Sequence, residues 1–354
     1  MGSLWQSTMK EYGLNGSSGS PVVMASANEP VCVDLSDLTV IDATGADTAE
    51  FLQGQFCNDL STVTANQAQL TGYCTPKGRL LTLAIVVGIE SGFRLLVPRE
   101  LSAAFVKRLS MFVLRADVTL EVKDDYLCTG VISDSTGKWG DALPTATTLS
   151  TEPFSATTTE TNQIIAWYPI EINGSLHQRR IMIATEAQQL AHWQNNEDLT
   201  KSSESIWRYG DIQQGIPSLK NETNDSFVPQ MVNLQLIHAL SFKKGCYPGQ
   251  EIVARMQYLG KLKRHMRRFV MAIGSDKDNL PVAGNALTNQ DDENAGIVVD
   301  AVLVDGHVEL LAVVKVVADA ETFAYGGVAL SPTDLPYNLP SPDDDACDMQ
   351  GKDS

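Results

Sequence analysis

A chain of 354 residues, 43% of them hydrophobic and 19% charged, has the length for two or three domains with real hydrophobic cores. Its longest mostly apolar run, Leu80–Ile89, is about half a membrane span, and residues 1–19 show no basic stretch followed by an apolar one. Neither a membrane span nor a secretory signal is expected, and a cytoplasmic location is. A net charge of -17 works against adhesion of the whole molecule to nucleic acid or anionic lipid.

In chain order, residues 1–27 are rich in Gly, Ser and Asn without sustained periodicity and read as a flexible leader. Residues 38–43 read as a strand, 47–55 as a helix, and 80–87 with 93–97 as two strands joined through Glu90-Ser91-Gly92. Pro98 opens a helix whose apolar positions Leu101, Phe105, Leu109, Phe112 and Val113 recur at helical spacing. Strands follow at 128–133, 164–170 and 180–184, then a helix over 186–195, while the Thr-rich segment 143–161 reads as a loop. Short strands mixed with helices favour an α+β fold over a doubly wound sheet. Beyond about residue 266 the helical signal stops, and strands at 269–273, 295–303, 308–316 and 322–324 predict a small β-barrel after a boundary near 265. Residues 341–354 carry five aspartates and read as a solvated acidic tail.

Six cysteines are scattered without a Cys-x-x-Cys or a paired Cys/His spacing, so neither a zinc site nor a self-held iron–sulfur cluster is expected. No glycine-rich nucleotide-binding loop is present. The segment 243–268 is the exception to the acidic average, with eight of the 26 basic residues against the single acid Glu251. It holds Lys244-Gly245-Cys246-Tyr247-Pro248-Gly249-Gln250-Glu251, a turn running into a helix from Gln250. A cysteine before a helix N-terminus, with Lys243 and Lys244 beside it, is how a reactive thiolate is made. An inert turn cysteine satisfies the same spacing. Upstream, Trp207 and Gln213 fall on a helix ended by Gly215 and Pro217, a Trp able to stack on a flat ligand and an amide able to bond its edge. On these residues alone a core Trp is the better reading.

Together these residues resemble the YgfZ-type folate-binding proteins of the glycine-cleavage T-protein (aminomethyltransferase) superfamily. Lys244 to Glu251 resembles the family signature K-G-C-[FY]-x-G-Q-E. Further matches are Thr44-Gly45-Ala46-Asp47, Leu52-Gln53-Gly54-Gln55, Pro76-Lys77-Gly78-Arg79, Gly215-Ile216-Pro217, Phe227-Val228-Pro229-Gln230, Asn233-Leu234-Gln235 and Leu335-Pro336-Tyr337, in family order. The resemblance implies two interleaved α+β folate-binding domains over 28–265 and a β-barrel over 266–340, around a central opening. It implies a tetrahydrofolate-binding accessory protein for iron–sulfur cluster assembly or repair, and so for iron–sulfur-dependent tRNA modification. Cys246 and Lys244 carry the family's reactive role, Lys244 as electrostatic activator of the thiol. Trp207, Gln213, Asn233, Lys244, Gln250 and Arg255 are the folate-binding candidates. Folate and iron–sulfur proteins or their assembly machinery are the implied partners, and direct nucleic-acid binding is not expected.

The sequence departs from aminomethyltransferases where they carry an acidic pair after the glycine turn, here Thr82-Leu83, which argues against classical aminomethyl transfer. Gln213 stands where the superfamily usually has Glu, and Leu38 where a second Trp would stack. The alternatives are a folate-dependent aminomethyl transferase and an RNA or protein interaction module using 243–268.

Overall fold

The computed structural model describes residues 4–14, 30–133, 149–195, 199–258, 262–273, 279–290, 293–315 and 322–340. The chain begins with α1 (Leu4–Glu11), β1 (Val31–Asp34), β2 (Leu38–Thr44), α2 (Thr48–Gln53), β3 (Gln69–Cys74), β4 (Leu80–Ile89), β5 (Gly92–Pro98), α3 (Arg99–Ser110) and β6 (Thr119–Val122). Next come β7 (Tyr126–Ser133), β8 (Ala156–Thr158), β9 (Gln163–Ile172), β10 (Ser175–Thr185), α4 (Glu186–Asn195), β11 (Thr200–Ser202), α5 (Glu204–Gln213) and α6 (Gln250–Tyr258). The last elements are β12 (Arg264–Ala272), β13 (Ala286–Leu287), β14 (Gly296–Val304), β15 (His307–Lys315), β16 (Ala324–Tyr325) and β17 (Val328–Thr333).

These strands form three sheets, ordered β3-β4-β5-β2-β6, β11-β1-β7-β10-β9-β8 and β13-β14-β15-β12-β17-β16. Strand β1 belongs to the second sheet and β2 to the first, so the chain starts in one unit, builds the other and returns. This is the interleaved α+β arrangement that the resemblance implied. A bridge between Thr288 and Ala324 joins the ends of the third sheet and nearly closes it into a barrel. Two tight hairpins set register: Asn173-Gly174 between β9 and β10, and Asp305-Gly306 between β14 and β15. All four residues have positive φ, from 40° to 87°, as a two-residue turn matched to strand twist requires. β4 is buried along nearly its whole length because the sheet has apolar partners on both faces, which is why its sequence is a continuous apolar run instead of an alternation.

Several expectations change. Residues 4–11, expected within a flexible leader, form a helix whose Trp5 is buried edge-to-face against Trp193, ring centroids 5.1 Å apart; the Trp5 indole N–H donates to Asp34 at 3.0 Å. A bulky aromatic with a partner for its polar edge offsets the ordering entropy that the surrounding composition suggested would win. α3 stops at Ser110, leaving Phe112 41% exposed beyond it. The expected loop 143–161 contains β8, and its part up to 148 lies outside the described residues, as do residues 15–29 and the acidic tail. Among the described residues no helix is long and apolar enough to cross a membrane.

Candidate functional site

Between the first two sheets and α5 lies an open cavity. Leu83 and Ile85 of β4, Leu96 of β5 and Ile181 of β10 give it apolar walls, and Trp167 and Trp207 add aromatic ones. The charged groups are Asp37, Glu204, Arg208, Asp211 and Lys220. An apolar hollow with few converging polar groups suits a flat organic ligand.

α5 carries much of this wall, and β9 and β10 hold it in place. Arg179, fully buried, donates to the carbonyls of Tyr168 at 2.6 Å and Trp207 at 2.7 Å and pairs with Asp211 at 2.9 Å. Its guanidinium also lies 4.7 Å from the Trp207 ring centroid. Burial lowers the pKa of Arg179, opposed by Asp211. The Asp211 Oδ1 accepts from the Trp167 indole N–H at 2.8 Å; burial raises the pKa of this carboxyl, opposed by Arg179. A Cβ at Gly130 of β7 would come within 2.7 Å of the Trp207 ring, so glycine there makes room for the indole. On the outer side of α5 Arg208 grips both oxygens of Asp300 on β14, tying the barrel to the cavity wall.

Asp37 sits in the turn between β1 and β2. Its Oδ1 is buried and accepts no hydrogen bond. Burial, with Glu204 and Asp34 nearby, pushes its pKa up to about 7 against the opposing pull of Lys220 and Arg208.

Of the expected folate-binding residues, the structure brings only Trp207 to this cavity. The Gln213 amide is committed to β9, accepting from the Glu171 N–H at 2.9 Å and donating to its carbonyl at 3.0 Å. Asn233 is buried at a positive φ of 61° and donates to the Met266 carbonyl at 2.9 Å and to the Tyr337 hydroxyl at 3.2 Å. Gln250 opens α6, and Arg255 is exposed on the same helix. Two positions that depart from the aminomethyltransferase pattern do face the ligand space: Leu83 and Leu38 both line it. Thr82 is fully buried, its hydroxyl turned to the Leu83 carbonyl at 3.0 Å.

Lys244 is placed differently from its expected role. Its buried ammonium donates to the carbonyls of Gln53 at 2.5 Å, Phe56 at 2.6 Å and Asn58 at 3.0 Å. All three ammonium protons are used, and none is left to bond the Cys246 thiol. Burial pushes the Lys244 pKa down to about 8, so it is charged at neutral pH. Cys246, two residues on, is exposed, whereas Cys32, Cys57, Cys74 and Cys128 are buried. Cys246 does not line the cavity. Burial pushes the thiols of Cys32 and Cys128 up to about 12. The basic segment is likewise divided: Lys244 is buried, Arg268 pairs with Glu309 at 2.9 Å, and Lys243 and Arg255 are exposed.

No family model matches the sequence. The chain is 28% identical over 305 residues to the tRNA-modifying protein YgfZ of Colwellia psychrerythraea, covering 82% of this chain and 90% of that one. It is 28% identical over 340 residues to the protein of the same name from Yersinia pestis, covering 91% and 97%. The chain is similar to these YgfZ proteins over most of its length. In fold it matches the crystal structure of the glycine cleavage system aminomethyltransferase T from Bartonella henselae with a TM-score of 0.71 at 13% identity, covering 93% of this chain and 96% of that one.

The motifs that carried the resemblance to YgfZ dock on one another. Lys244 of the signature closes the turn that follows Leu52-Gln53-Gly54-Gln55. Gly249, at a φ of 85°, packs so closely on Gly78 and the Thr75 carbonyl that a Cβ would lie 2.5–2.6 Å from them. Gln230 donates to the Val253 carbonyl of α6 at 2.7 Å, and the Tyr337 hydroxyl donates to the Gly215 carbonyl at 2.9 Å. Much of the YgfZ-like sequence pattern is therefore the set of joints between segments distant in the chain.

Proposed function

We propose that this chain is a tetrahydrofolate-binding accessory protein that supports iron–sulfur cluster assembly or repair, and through it tRNA modification. The cavity carries the reading: it is the hollow of a T-protein-like fold, apolar, walled by Trp207, and Leu83 takes the place of the acidic pair. The residues fit a reduced folate, with Trp207 and the aliphatic walls against the flat ring and polar groups at its edge. Bound tetrahydrofolate would supply ring nitrogens able to carry a one-carbon unit. No carboxyl from β4 is present to manage a proton there, which argues against the aminomethyl transferase alternative. The similarity to proteins named for tRNA modification supports the cellular role. Cys246, exposed on the signature turn, is the thiol available to a client protein, and the folate cavity and the thiol act as two separate places on the molecule.

The experiment is complementation of a bacterial strain lacking its own YgfZ, comparing wild type with Cys246→Ala and measuring methylthio-modified tRNA. Restoration by wild type and loss with Cys246→Ala supports the reading. Failure of both, with both expressed and folded, overturns it.

A further inference from the structure

Of the cavity's charged groups, one has no partner. Asp211 is held by Trp167 and Arg179, Arg208 by Asp300 with Glu204 3.7 Å away, and Lys220 faces Glu100 at 3.7 Å. Asp37 is different: its Oδ1 is buried without a hydrogen-bond partner, at a cavity otherwise flanked by Leu35, Leu38, Leu96 and Pro98. A buried acceptor left bare is costly, and such a group in a ligand-sized hollow is satisfied when a donor arrives. The residue expected to read the ligand edge, Gln213, is already spent on the Glu171 backbone.

We propose that Asp37 reads the heterocycle of the ligand in this cavity, accepting hydrogen bonds from the adjacent ring N–H and amino group of a 2-amino-4-oxopyrimidine edge. The proposal rests on the folate reading and deepens it. A carboxylate has two acceptor oxygens and no donor, and two parallel N–H groups match it as an Arg fork does. Ionised Asp37 repels a carboxylate and attracts N–H donors, so the heterocycle and not the glutamate end is the part of a folate that meets it.

The groups around Asp37 set its proton affinity. Glu204 on α5 and Asp34 on β1 raise it, and Arg208 and Lys220 lower it. The Cys128 thiol on β7 also feels it, while the Arg99 guanidinium is turned to the Ser36 and Leu38 carbonyls. Since the carboxyl titrates at about 7, its acceptor form is scarce at pH 6 and dominant at pH 8. Ionising it in the ligand-free protein disfavours the fold, because the folded value lies above the ordinary carboxylate value of 3.8. Replacing it with Asn relieves that cost.

The test is calorimetric titration of the full chain with 5-formyltetrahydrofolate, whose N5 is acylated and does not titrate in this range, and with p-aminobenzoyl-glutamate. Wild type is expected to bind the folate about tenfold more tightly at pH 8 than at pH 6, following the ionised fraction. Asp37→Asn is expected to lose about 30-fold at pH 8, the worth of a charge-assisted pair, and to lose the pH dependence. It should melt no lower than wild type at pH 8, and p-aminobenzoyl-glutamate should bind both proteins alike. Equal folate affinity of wild type and Asp37→Asn at pH 8 overturns the proposal. Where Asp37→Asn does not fold, Asp37→Ser takes its place, and wild-type folate affinity in that variant likewise overturns the proposal. No binding of the folate by wild type at millimolar concentration overturns the folate reading itself.

Discussion

Replacing Lys244 by Met separates an architectural lysine from an activating one. Methionine keeps the length of the stem, which lies in a buried position, and removes the ammonium. The carbonyls of Gln53, Phe56 and Asn58 then lose their shared donor, and the bonds to Phe56 and Asn58 are fully buried. Two buried acceptors without partners cost about 1–3 kcal/mol each, and relief from burying a charge offsets part of that. A loss of about 3 kcal/mol is expected, which lowers the melting temperature by about 5 °C in a chain of this size. The assay is thermal unfolding at pH 7, together with alkylation of Cys246 at matched pH. A less stable Lys244→Met protein is expected whose Cys246 alkylates within about twofold of the wild-type rate, because the ammonium is turned to three backbone carbonyls while Cys246 faces solvent, which screens the charge between them. Unchanged stability with alkylation slowed tenfold would falsify this account and restore Lys244 as the thiol's electrostatic activator.

The pH dependence of Lys244 has a definite sign. Its folded value of about 8 lies below the ordinary 10.5, so its contribution to stability rises with pH through that window; the melting-temperature difference between wild type and Lys244→Met should widen from pH 7 to pH 9.5. Brief alkylation followed by peptide mapping should mark Cys246 and spare Cys32, Cys57, Cys74 and Cys128, since among the cysteines of the described residues only the first is exposed; early labelling of a buried one would contradict the packing. Gly130→Ala drives a methyl into the Trp207 ring and should cost about 1–3 kcal/mol while weakening folate binding. Arg208→Gln strands Asp300, which is buried on β14, and should cost about 3–5 kcal/mol; urea unfolding measures both, and neutrality of either would show that its contact is dispensable.

Local signals were legible wherever one short segment carries the whole cause. The apolar run 80–89, the helical spacing from Leu101 to Leu109, and the helix 186–195 appear where periodicity places them. The hairpins at Asn173-Gly174 and Asp305-Gly306 carry their turn signature within two residues each. Strand β1 was missed because four residues show no usable alternation, and its place depends on β7 and β11 on either side. The family pattern, spread over the chain, correctly implied the interleaved α+β fold, since a pattern of joints encodes which segments meet.

The sequence by itself determined the class of fold, the motif cysteine before α6 and the loss of the acidic pair at Thr82-Leu83. Tertiary structure decided which polar groups remain free. Gln213, Asn233 and Lys244 all look like ligand-binding residues in one dimension, yet the Gln213 amide and the Lys244 ammonium are taken up by backbone groups 42 to 191 positions away, and the Asn233 amide nitrogen by the Met266 carbonyl and the Tyr337 hydroxyl. Asp37 gives no signal in sequence, yet it is the carboxyl left with a bare buried oxygen at the cavity. Whether a side chain can meet a ligand depends on whether the fold has already satisfied its hydrogen bonds, and those partners come from segments that adjoin only after folding.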